Sequence, residues 1–373
     1  MLKSFALIAA LLCAFASAPT HGRDRWTARE AQQWYARQPW FVGANYIPAN
    51  AVNQLEMWQA DTFDPATIDK ELGWARGIGM NAMRVYLHNL PWEQDSTGFL
   101  ERIDQFLGIA DRHGIKVMFV LFDSCWDAFP KPGPQAPPIP GIHNPGWVQA
   151  PGRAYLADPS KRPVLEAYVK GVVGAFAKDK RVVVWDVWNE PDFPRKPFQE
   201  RNNLDHIAAL LPLAFEWARA ANPAQPLTSG LHEPDNDWVM GELNAIERTQ
   251  VEQSDINSFH NYQWPEDFEV RAKQMLAFGR PVLVTEYMAR GAGSTFDGSL
   301  PIGKRLDIGM FNWGLVDGKT QTRLPWDSWD GPYLKDEPVV WHHDVLHADG
   351  TPYRAAEVEL IRKLSALPRK VVQ

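Results

Sequence analysis

Short apolar runs alternate with longer amphipathic segments along almost the whole sequence, and this alternation constrains the fold more than any other feature. The runs are rich in β-branched and aromatic residues. They predict eight strands, at 41–46, 82–87, 116–122, 182–188, 226–231, 255–262, 281–287 and 309–316. Most are continuous apolar runs rather than alternating ones, which is typical of parallel strands that are buried on both faces.

The segments beside these strands have helical spacing. Six helices are predicted at 66–78, 98–113, 163–178, 204–221, 267–278 and 353–366, and two shorter, weaker ones at 235–246 and 301–308. Gly79 and Gly114 stand where helix C-caps are expected, directly before the next strand. Eight strands alternating with eight helices in one undivided chain predict an α/β fold, a single-domain (β/α)8 barrel or TIM barrel.

The alternative architecture is an open doubly wound sheet. Folds of that kind commonly carry a Gly-rich phosphate-binding turn after the first strand. Here that position is Gly43-Ala44-Asn45-Tyr46, which lacks the G-x-G-x-x-G spacing. The barrel is therefore the favoured prediction.

The N-terminus has the pattern of a secretory signal peptide. Lys3 supplies a positive charge, residues 5–18 are uncharged and apolar, and small residues close the run. We expect residues 1–16 to be removed, with cleavage after Ala18 as the alternative, which would place Pro19 first. The run is too short to span a bilayer. We therefore predict a secreted or periplasmic protein with a barrel domain at 24–373 and no membrane association after cleavage.

Composition narrows the class of ligand. The chain has 38 Lys and Arg against 45 Asp and Glu, a formal charge of −7, and no long basic run, which argues against a nucleic-acid partner. It also contains 17 Trp, and a flat indole ring suits the faces of uncharged ligands such as sugars. Signal cleavage would remove Cys13 and leave Cys125, which has no His-based nucleophile signature and is expected to be structural. No feature points to an obligate protein partner.

Polar and aromatic side chains follow the carboxyl ends of several predicted strands, and these ends together form the mouth of a barrel. The set comprises Arg84 and His88 after the second strand, Asn189 and Glu190 after the fourth, His260 and Tyr262 after the sixth, Glu286 after the seventh and Trp313 after the eighth. Two carboxylates thus face each other across one mouth. Such a pair suits glycoside hydrolysis, in which an acid protonates the leaving oxygen and a carboxylate meets the positive charge at the anomeric carbon.

On these residues the chain resembles a clan A glycoside hydrolase and is most similar to glycoside hydrolase family 5, the cellulase–mannanase family. The resemblance covers nearly all of residues 40–366 and rests on Asn189-Glu190-Pro191 together with Glu286. It implies a retaining β-glycoside hydrolase that acts by double displacement on β-linked plant-type polysaccharides or oligosaccharides of the glucan, mannan or xylan class. It implies a carbohydrate substrate and neither a cofactor nor a metal.

The resemblance also implies roles for individual residues. Glu190 would be the acid/base and Glu286 the nucleophile. The supporting residues would contact these carboxylates or the sugar: Arg84 would hold Glu286 ionised, Tyr262 would donate a hydrogen bond to it, Asn189 would contact the sugar 2-hydroxyl, His260 would lie beside the carboxylates, and Trp313 would form the floor under the sugar. Burial and the nearby charge of Glu286 would raise the pKa of Glu190 and keep it protonated.

One position departs from the family pattern. Family members commonly carry a His at the end of the third strand, where this chain has Phe122-Asp123-Ser124. Asp123 and His88 are the candidates to fill that space. The departure leaves the sub-family and the sugar open without affecting the two Glu residues.

Two long loops should rise from the same mouth, because they follow the third and eighth strands. The first, residues 123–161, contains nine Pro together with Trp126, Trp147 and Tyr155, and the second, residues 317–338, contains Trp326 and Trp329. These rings either stack on sugar faces or pack the loops onto the barrel. A Pro-rich, fixed wall would narrow a groove into a pocket and favour attack near chain ends or on short and branched substrates.

Two other functions stay open. A metal-dependent barrel hydrolase needs clustered His and carboxylate ligands, and the available patterns are His260-Asn261-Tyr262 and His342-His343. A non-catalytic exported carbohydrate-binding barrel would keep the Trp platforms, but it should have lost a carboxylate.

Overall fold

Parallel strands that alternate with helices form the centre of the protein. The computed structural model describes residues 22–193, 202–232 and 237–369. The strands are β1 (Val42–Asn45), β2 (Ala82–Tyr86), β3 (Lys116–Asp123), β4 (Val182–Asn189), β5 (Leu227–Thr228), β6 (Gly230–Leu231), β7 (Asn257–His260), β8 (Val282–Glu286) and β9 (Gly309–Trp313). The helices are α1 (Ala28–Ala36), α2 (Gln54–Trp58), α3 (Pro65–Gly77), α4 (Asn89–Gln94), α5 (Ser96–Arg112), α6 (Arg153–Leu156), α7 (Arg162–Ala175), α8 (Asn202–Ala220), α9 (Ala245–Gln253), α10 (Pro265–Ala277), α11 (Phe296–Arg305) and α12 (Ala355–Ala366). Short 3-10 helices lie at Pro159–Lys161, Arg290–Ala292 and Trp326–Trp329.

The strands form one sheet that closes on itself. All the pairings are parallel, and the order is β5-β4-β3-β2-β1-β9-β8-β7-β6. β5 and β6 are two halves of one barrel strand that is interrupted at Ser229. β5 pairs with β4 through Leu227 opposite Trp185, and β6 pairs with β7 through Leu231 opposite Phe259. The described strands therefore make the (β/α)8 barrel that the sequence predicts.

Local sequence signals set the helix ends. Asp64 accepts hydrogen bonds from two backbone N–H groups in the first turn of α3, and Asn244 forms a capping box with Glu247 at the start of α9. Gly79 and Gly114 lie just beyond α3 and α5 with φ of +95° and +67°. Only glycine adopts this left-handed backbone freely, so both helices end there and the chain turns into the next strand.

The core has a large part between the barrel and its helices and a smaller part at the amino end of the barrel. In the smaller part, Trp34 and Tyr35 of α1 pack against Phe41. Close strand packing explains Gly43 in β1, because a Cβ at this position would lie 1.9 Å from the carbonyl oxygen of Ala82 in β2. α1 thus covers one end of the barrel, while the other end carries the long loops.

These two loops are joined to each other. We define the β3 loop as residues 124–152 and the β9 loop as residues 314–354. The Gly141 N–H donates to the Gln321 side-chain oxygen at 2.9 Å, and the Tyr333 N–H donates to the Gly141 carbonyl at 2.9 Å. Both loops follow the carboxyl ends of parallel strands, so they rise from one mouth as predicted.

Two of the predicted helices differ from the observed ones. The weak helix at 235–246 is wrong, because residues 237–244 are turns and irregular chain and the capping box at Asn244 starts α9 only at Ala245. The weak helix at 301–308 is observed as α11, which begins at Phe296 because Thr295 caps it. The short helices α1, α2, α4 and α6 were not predicted.

The predicted signal peptide, residues 1–16 with the alternative boundary at 18, lies outside the described residues. Within the part of the chain that the structure describes, no helix combines the length and apolar character needed to cross a membrane.

Candidate active site

Glu286, the last residue of β8, lies at the barrel mouth and accepts hydrogen bonds from three side chains. Its Oε1 is 3.2 Å from Nη1 of Arg84 and 3.0 Å from the hydroxyl of Tyr86, and its Oε2 is 2.6 Å from the hydroxyl of Tyr262. Arg84 and Tyr86 are two residues apart in β2 and therefore point to the same face of that strand. Both carboxylate oxygens are therefore hydrogen-bonded, and one of the three donors is a cation.

Arg84 is fully buried and is held from several sides. Its Nε and Nη2 contact Oδ2 of Asp186 at 3.0 and 2.7 Å, and its Nη1 and Nη2 donate to the amide oxygens of Asn45 and Asn189 at 2.8 and 2.7 Å. Burial lowers the pKa of Arg84, but Tyr86 and the surrounding carboxylates raise it by more, so the pKa is above its usual value. The guanidinium is therefore a permanent positive charge beside Glu286.

Glu190 follows β4 directly and has a left-handed backbone with φ of +43°, which is uncommon for a residue with a side chain and is found most often at functional sites. Its Oε1 lies 2.6 Å from Nδ1 of His260 and 3.1 Å from Nδ1 of His232, and its Oε2 lies 3.0 Å from the thiol of Cys125. Two imidazoles and a thiol thus surround this carboxyl group.

The prediction that the pKa of Glu190 is raised is wrong. Burial does raise it, but the charge and hydrogen bonds of His232 and His260 lower it by more, so the pKa lies well below the usual value for a glutamate. The sequence analysis placed His260 beside the carboxylates but did not include His232. The two imidazoles therefore favour the ionised form of Glu190.

The two carboxylates lie close together. One oxygen of Glu190, one oxygen of Glu286 and a ring nitrogen of His260 all lie within 4.8 Å of one another. His260 Nδ1 is between them, at 2.6 Å from Glu190 and 3.6 Å from Glu286. The strand register produces this arrangement, because His260 of β7 pairs directly with Glu286 of β8.

This trio is also a set of possible metal ligands. All three residues are buried and offer a carboxylate or imidazole atom. However, the oxygens of Glu286 already accept from Arg84, Tyr86 and Tyr262, and the guanidinium would repel a dication at this position. These residues therefore suit a carboxylate whose charge is balanced by Arg84 better than they suit a metal centre.

The carboxylates open into a cavity of about 200 Å³ at the barrel mouth. The wall mixes aromatic and polar side chains. It is lined by Asp123, Cys125, Trp126, His143, Asn144, Trp147, Asn189, Glu190, Phe193, His232, Tyr262, Gln263, Glu286, Ala292, Trp313, Trp326 and His343. Trp313, at the end of β9, packs edge-on against Tyr86 and Trp147 with ring centroids 5.7 and 5.5 Å apart.

Asp123 occupies the place where the resemblance implies a His. Its carboxylate accepts from four donors: Trp147 Nε1 at 2.7 Å, Asn189 Nδ2 at 2.9 Å, the Cys125 N–H at 3.0 Å and Gln54 Nε2 at 3.5 Å. Burial raises its pKa to about 7, although these hydrogen bonds lower it. Asp123 therefore fixes the amide of Asn189, whose oxygen in turn accepts from Arg84.

Most of the predicted site residues meet at this cavity or directly behind it, and His88 is an exception. Its Nδ1 accepts from the Leu90 N–H and its Nε2 lies 2.9 Å from the carbonyl oxygen of Gln149, so it caps α4. Burial lowers the pKa of His88 to about 3, which makes it a neutral structural residue. Asp123, and not His88, fills the space after β3.

The aromatic residues of the two loops also fall into two groups, those that line the cavity and those that support the loops. Trp126, Trp147 and Trp326 line the cavity. Trp329 stacks on Trp126 with centroids 5.5 Å apart, and Tyr155 donates to Glu93 at 2.6 Å, so these two residues pack and support the loops.

Sequence reasoning missed four residues of the site. Tyr86 and Asp186 could have been found, since each is a polar residue in an otherwise apolar predicted strand. Cys125 was assigned a structural role; burial raises the pKa of its thiol, so it donates to Glu190 as a thiol and is not a nucleophilic thiolate. His232 directly follows β6 and is therefore a polar residue at a strand end, the kind of position that identified Glu190.

Comparison with known proteins gives matches at the level of structure. No protein-family model and no curated protein sequence matches the chain significantly. GH5_18 from Streptomyces cattleya, in complex with GlcNAc, has a TM-score of 0.60 and 14% sequence identity, and the match covers 88% of this chain and 81% of that one. The endo-β-1,4-mannanase from Thermotoga petrophila has a TM-score of 0.56 and 14% identity over 89% and 77% of the two chains.

A third match is an exo-β-1,4-mannosidase from Opitutaceae bacterium strain TAV5, with a TM-score of 0.57 and 19% identity over 87% of this chain and 59% of that one. At these identities the likeness is one of fold and does not assign an activity. The chain has the (β/α)8 barrel fold of these GH5_18, mannanase and mannosidase structures.

Proposed function

We propose that the protein is a retaining β-glycoside hydrolase with Glu190 as acid/base and Glu286 as nucleophile. The observation that carries this proposal is the pair of buried carboxylates at the ends of β4 and β8, with oxygens within 4.8 Å of each other above the floor residue Trp313. Retaining glycosidases place their carboxyl groups about 5–5.5 Å apart, whereas inverting ones leave about 6.5–9.5 Å for a water molecule.

In the first step, an oxygen of Glu286 attacks the anomeric carbon while the bond from that carbon to the leaving oxygen breaks. Glu190 gives a proton to the leaving oxygen, and a covalent glycosyl ester forms on Glu286. In the second step, Glu190 takes a proton from water, the water oxygen bonds to the anomeric carbon, and the ester bond breaks. The configuration at that carbon is retained.

The histidines explain how an acid with a low pKa can donate a proton. His260 Nδ1 lies 2.6 Å from Glu190 Oε1, and His232 Nδ1 lies 3.1 Å from the same oxygen. A proton held on these imidazoles can pass to Glu190 as the leaving oxygen approaches. The acid of the reaction is then the Glu190–histidine cluster rather than a single carboxyl group.

We propose β-mannosides as the first substrate class to test, ahead of β-glucosides and β-xylosides. The matched barrels include a β-1,4-mannanase and a β-1,4-mannosidase. The aromatic wall and the flat indole of Trp313 suit the face of a pyranose ring. We also propose that the enzyme acts outside the cytoplasm, since residues 1–16 have the pattern of a signal peptide.

The test uses aryl β-mannosides, β-glucosides and β-xylosides with good and poor leaving groups. Glu286→Gln should abolish turnover of every substrate, because no other group forms the ester. Glu190→Ala should spare the first step for a good leaving group, which needs no proton, and added azide should restore turnover as a β-glycosyl azide. A matched control is Glu216→Gln, a substitution in α8 away from the mouth, which should leave all rates unchanged.

Each outcome decides between functions. Equal loss of activity in both variants on an activated substrate would overturn the assignment of roles. Sugar binding by the wild type without turnover of any glycoside would instead favour a carbohydrate-binding barrel. Loss of activity with a chelator and recovery with a divalent metal would favour the metal-dependent hydrolase.

A further inference from the structure

The β3 loop and the β9 loop form one continuous wall. Two of their contacts are backbone-to-backbone hydrogen bonds, and three join a backbone group to the buried side chain of Gln321 or Ser328. They comprise Gly141 N–H to Gln321 Oε1 at 2.9 Å, Gln321 Nε2 to the Ile139 carbonyl at 2.8 Å, Asn144 N–H to the Thr320 carbonyl at 2.8 Å, His143 N–H to Ser328 Oγ at 2.9 Å and Tyr333 N–H to the Gly141 carbonyl at 2.9 Å. We call this set of contacts the loop seam.

The loop seam lies above one side of the barrel mouth. In the barrel order, β2 and β1 stand between β3 and β9, so two loops that meet must cross over these strands. The chain after β1 is tied to the same structure: the Lys319 N–H donates to the Ala49 carbonyl at 2.9 Å, and Asn53 Nδ2 donates to the Gly146 carbonyl at 2.8 Å. Three loops therefore close this side.

The roles proposed for Glu190 and Glu286 determine which end of a substrate lies under the loop seam. Glu190 on β4 protonates the leaving group, so the leaving group must lie near β4, next to His232. The sugar that is attacked lies over Trp313 and Glu286, at the ends of β9 and β8. Any sugars attached to its remaining hydroxyls, which lead to the non-reducing end, would leave on the side of the mouth away from β4, past the ends of β9 and β1. That path is the one that the loop seam covers.

The wall also carries a polar group that suits a terminal sugar. His343 lines the cavity, and its Nδ1 lies 2.7 Å from the carbonyl oxygen of Met288, two residues beyond Glu286. Burial and the neighbouring His342 and His143 lower the pKa of His343 well below its usual value, so the ring is neutral. Since Nδ1–H donates to the carbonyl, Nε2 is an acceptor, and it has no partner in the described part of the chain.

We propose that the protein is an exo-acting enzyme, in which the loop seam admits a single sugar at the non-reducing chain end and His343 Nε2 accepts a hydrogen bond from a hydroxyl of that sugar. This inference rests on the proposed glycosidase function and adds to it the position of attack and a specificity-determining residue. A polysaccharide would be shortened one sugar at a time, and internal bonds would not reach the carboxylates.

The first experiment follows the wild-type products from a β-1,4-linked mannohexaose that carries a fluorescent label at its reducing end. We expect free mannose and labelled chains that shorten by one unit at a time, and no cleavage when the 4-hydroxyl of the terminal mannose is methylated. Early labelled disaccharides and trisaccharides, or cleavage of the methylated chain, would overturn the exo assignment while supporting the glycosidase function. No turnover of any oligosaccharide or aryl glycoside would overturn the glycosidase function, and the exo assignment with it.

The second experiment opens the loop seam. Gly141 has φ of +76°, and a Cβ there would lie 2.7 Å from the carbonyl oxygen of Tyr333, so Gly141→Val should separate the loops. Gly133 of the same loop has φ of +93° and no atom within 4 Å of such a Cβ, so Gly133→Val imposes similar backbone strain without the clash. We expect internal cleavage products from Gly141→Val alone. A folded Gly141→Val protein with wild-type products would show that the loop seam does not set the position of attack.

The third experiment tests the acceptor. His343→Ala should lower kcat/KM for aryl β-mannoside by about tenfold, since a tenfold change corresponds to the net value of one hydrogen bond. His343→Gln, which can place an acceptor at a similar distance, should recover most of that loss. Equal kcat/KM for wild type and His343→Ala, with both proteins folded, would remove His343 from the proposal.

Discussion

Replacement of Asp123 by Asn gives a sharp test of the electrostatics of the mouth. Burial raises the pKa of this carboxyl group to about 7 from an ordinary value near 3.8, so the folded protein holds the proton more tightly than the unfolded chain. The contribution of Asp123 to stability is therefore largest at low pH. It is lost as the pH rises from about 4 to about 7, and it stays level above that range.

The magnitude follows from the same values. Between about pH 5 and the folded pKa of about 7 there are about two pH units in which Asp123 is ionised in the unfolded chain but protonated in the folded protein. Over each of these units the free energy of unfolding falls by about 1.4 kcal/mol. The wild type should thus lose about 3 kcal/mol of stability from this residue alone, which Asp123→Asn cannot lose because an amide does not titrate. Glu190 and Cys125 also face Asp123, but they are present in both proteins, and their titration cancels to first order in the difference.

The assay is urea unfolding of both proteins at the two pH values. The difference in the free energy of unfolding, variant minus wild type, should be about 3 kcal/mol more favourable to the variant near pH 8 than near pH 5. Any fixed cost of placing an NH2 group among four donors is the same at both pH values and drops out. The control is Asp127→Asn in the adjoining β3 loop, where the side chain is exposed, and it should give no such difference. The same difference for both variants, or one of opposite sign for Asp123→Asn, would refute the argument.

Three further predictions test the barrel and its mouth. Trp326→Ala should raise KM for aryl glycosides several-fold at an unchanged Tm if the ring stacks on sugar, whereas a lower Tm with normal kinetics would assign it to packing. His232→Leu removes a charge that lowers the pKa of Glu190, so the pKa of Glu190 should rise. The alkaline limb of the pH profile of kcat/KM should then move to higher pH. An alkaline limb at the wild-type pH would contradict the proposal that Glu190 and the histidines share a proton. Gly43→Ala should lower the free energy of unfolding by several kcal/mol, measured by urea unfolding, because its Cβ would meet the Ala82 carbonyl, and a variant of wild-type stability would disprove that packing.

Much of the fold could be predicted because a (β/α)8 barrel produces a regular alternation of apolar strand segments and amphipathic helical segments in the sequence. Strands buried on both faces need continuous apolar runs, and each of the eight predicted strands overlaps an observed strand. The boundary errors come from polar segments, where short-range capping decides the outcome. Asn244 and Glu247 start α9 at Ala245, which the hydrophobic spacing of 235–246 does not reveal.

The catalytic pair could be predicted because a barrel brings the carboxyl ends of all its strands to one face. Glu190 and Glu286 needed only the strand positions to be placed together. Cys125 could not be found in this way, since it lies in the β3 loop, whose course depends on tertiary packing. His232 directly follows β6, so its position at a strand end could have indicated it. Missing His232 also gave the wrong sign for the pKa of Glu190, because burial was counted without the pair of imidazoles that outweighs it.

The buried cluster around Arg84 has a further consequence for the charge balance of the site during the proposed cycle. One guanidinium faces the carboxyl groups of both Asp186 and Glu286, so the cluster has one acidic group more than it has basic groups. An oxocarbenium-like transition state brings a positive charge to this place and offsets the extra acidic group, and the ester on Glu286 removes that group and leaves Arg84 and Asp186 as a neutral pair. In a low-dielectric interior, where an unbalanced charge is costly, the reaction therefore moves the site toward neutrality rather than away from it.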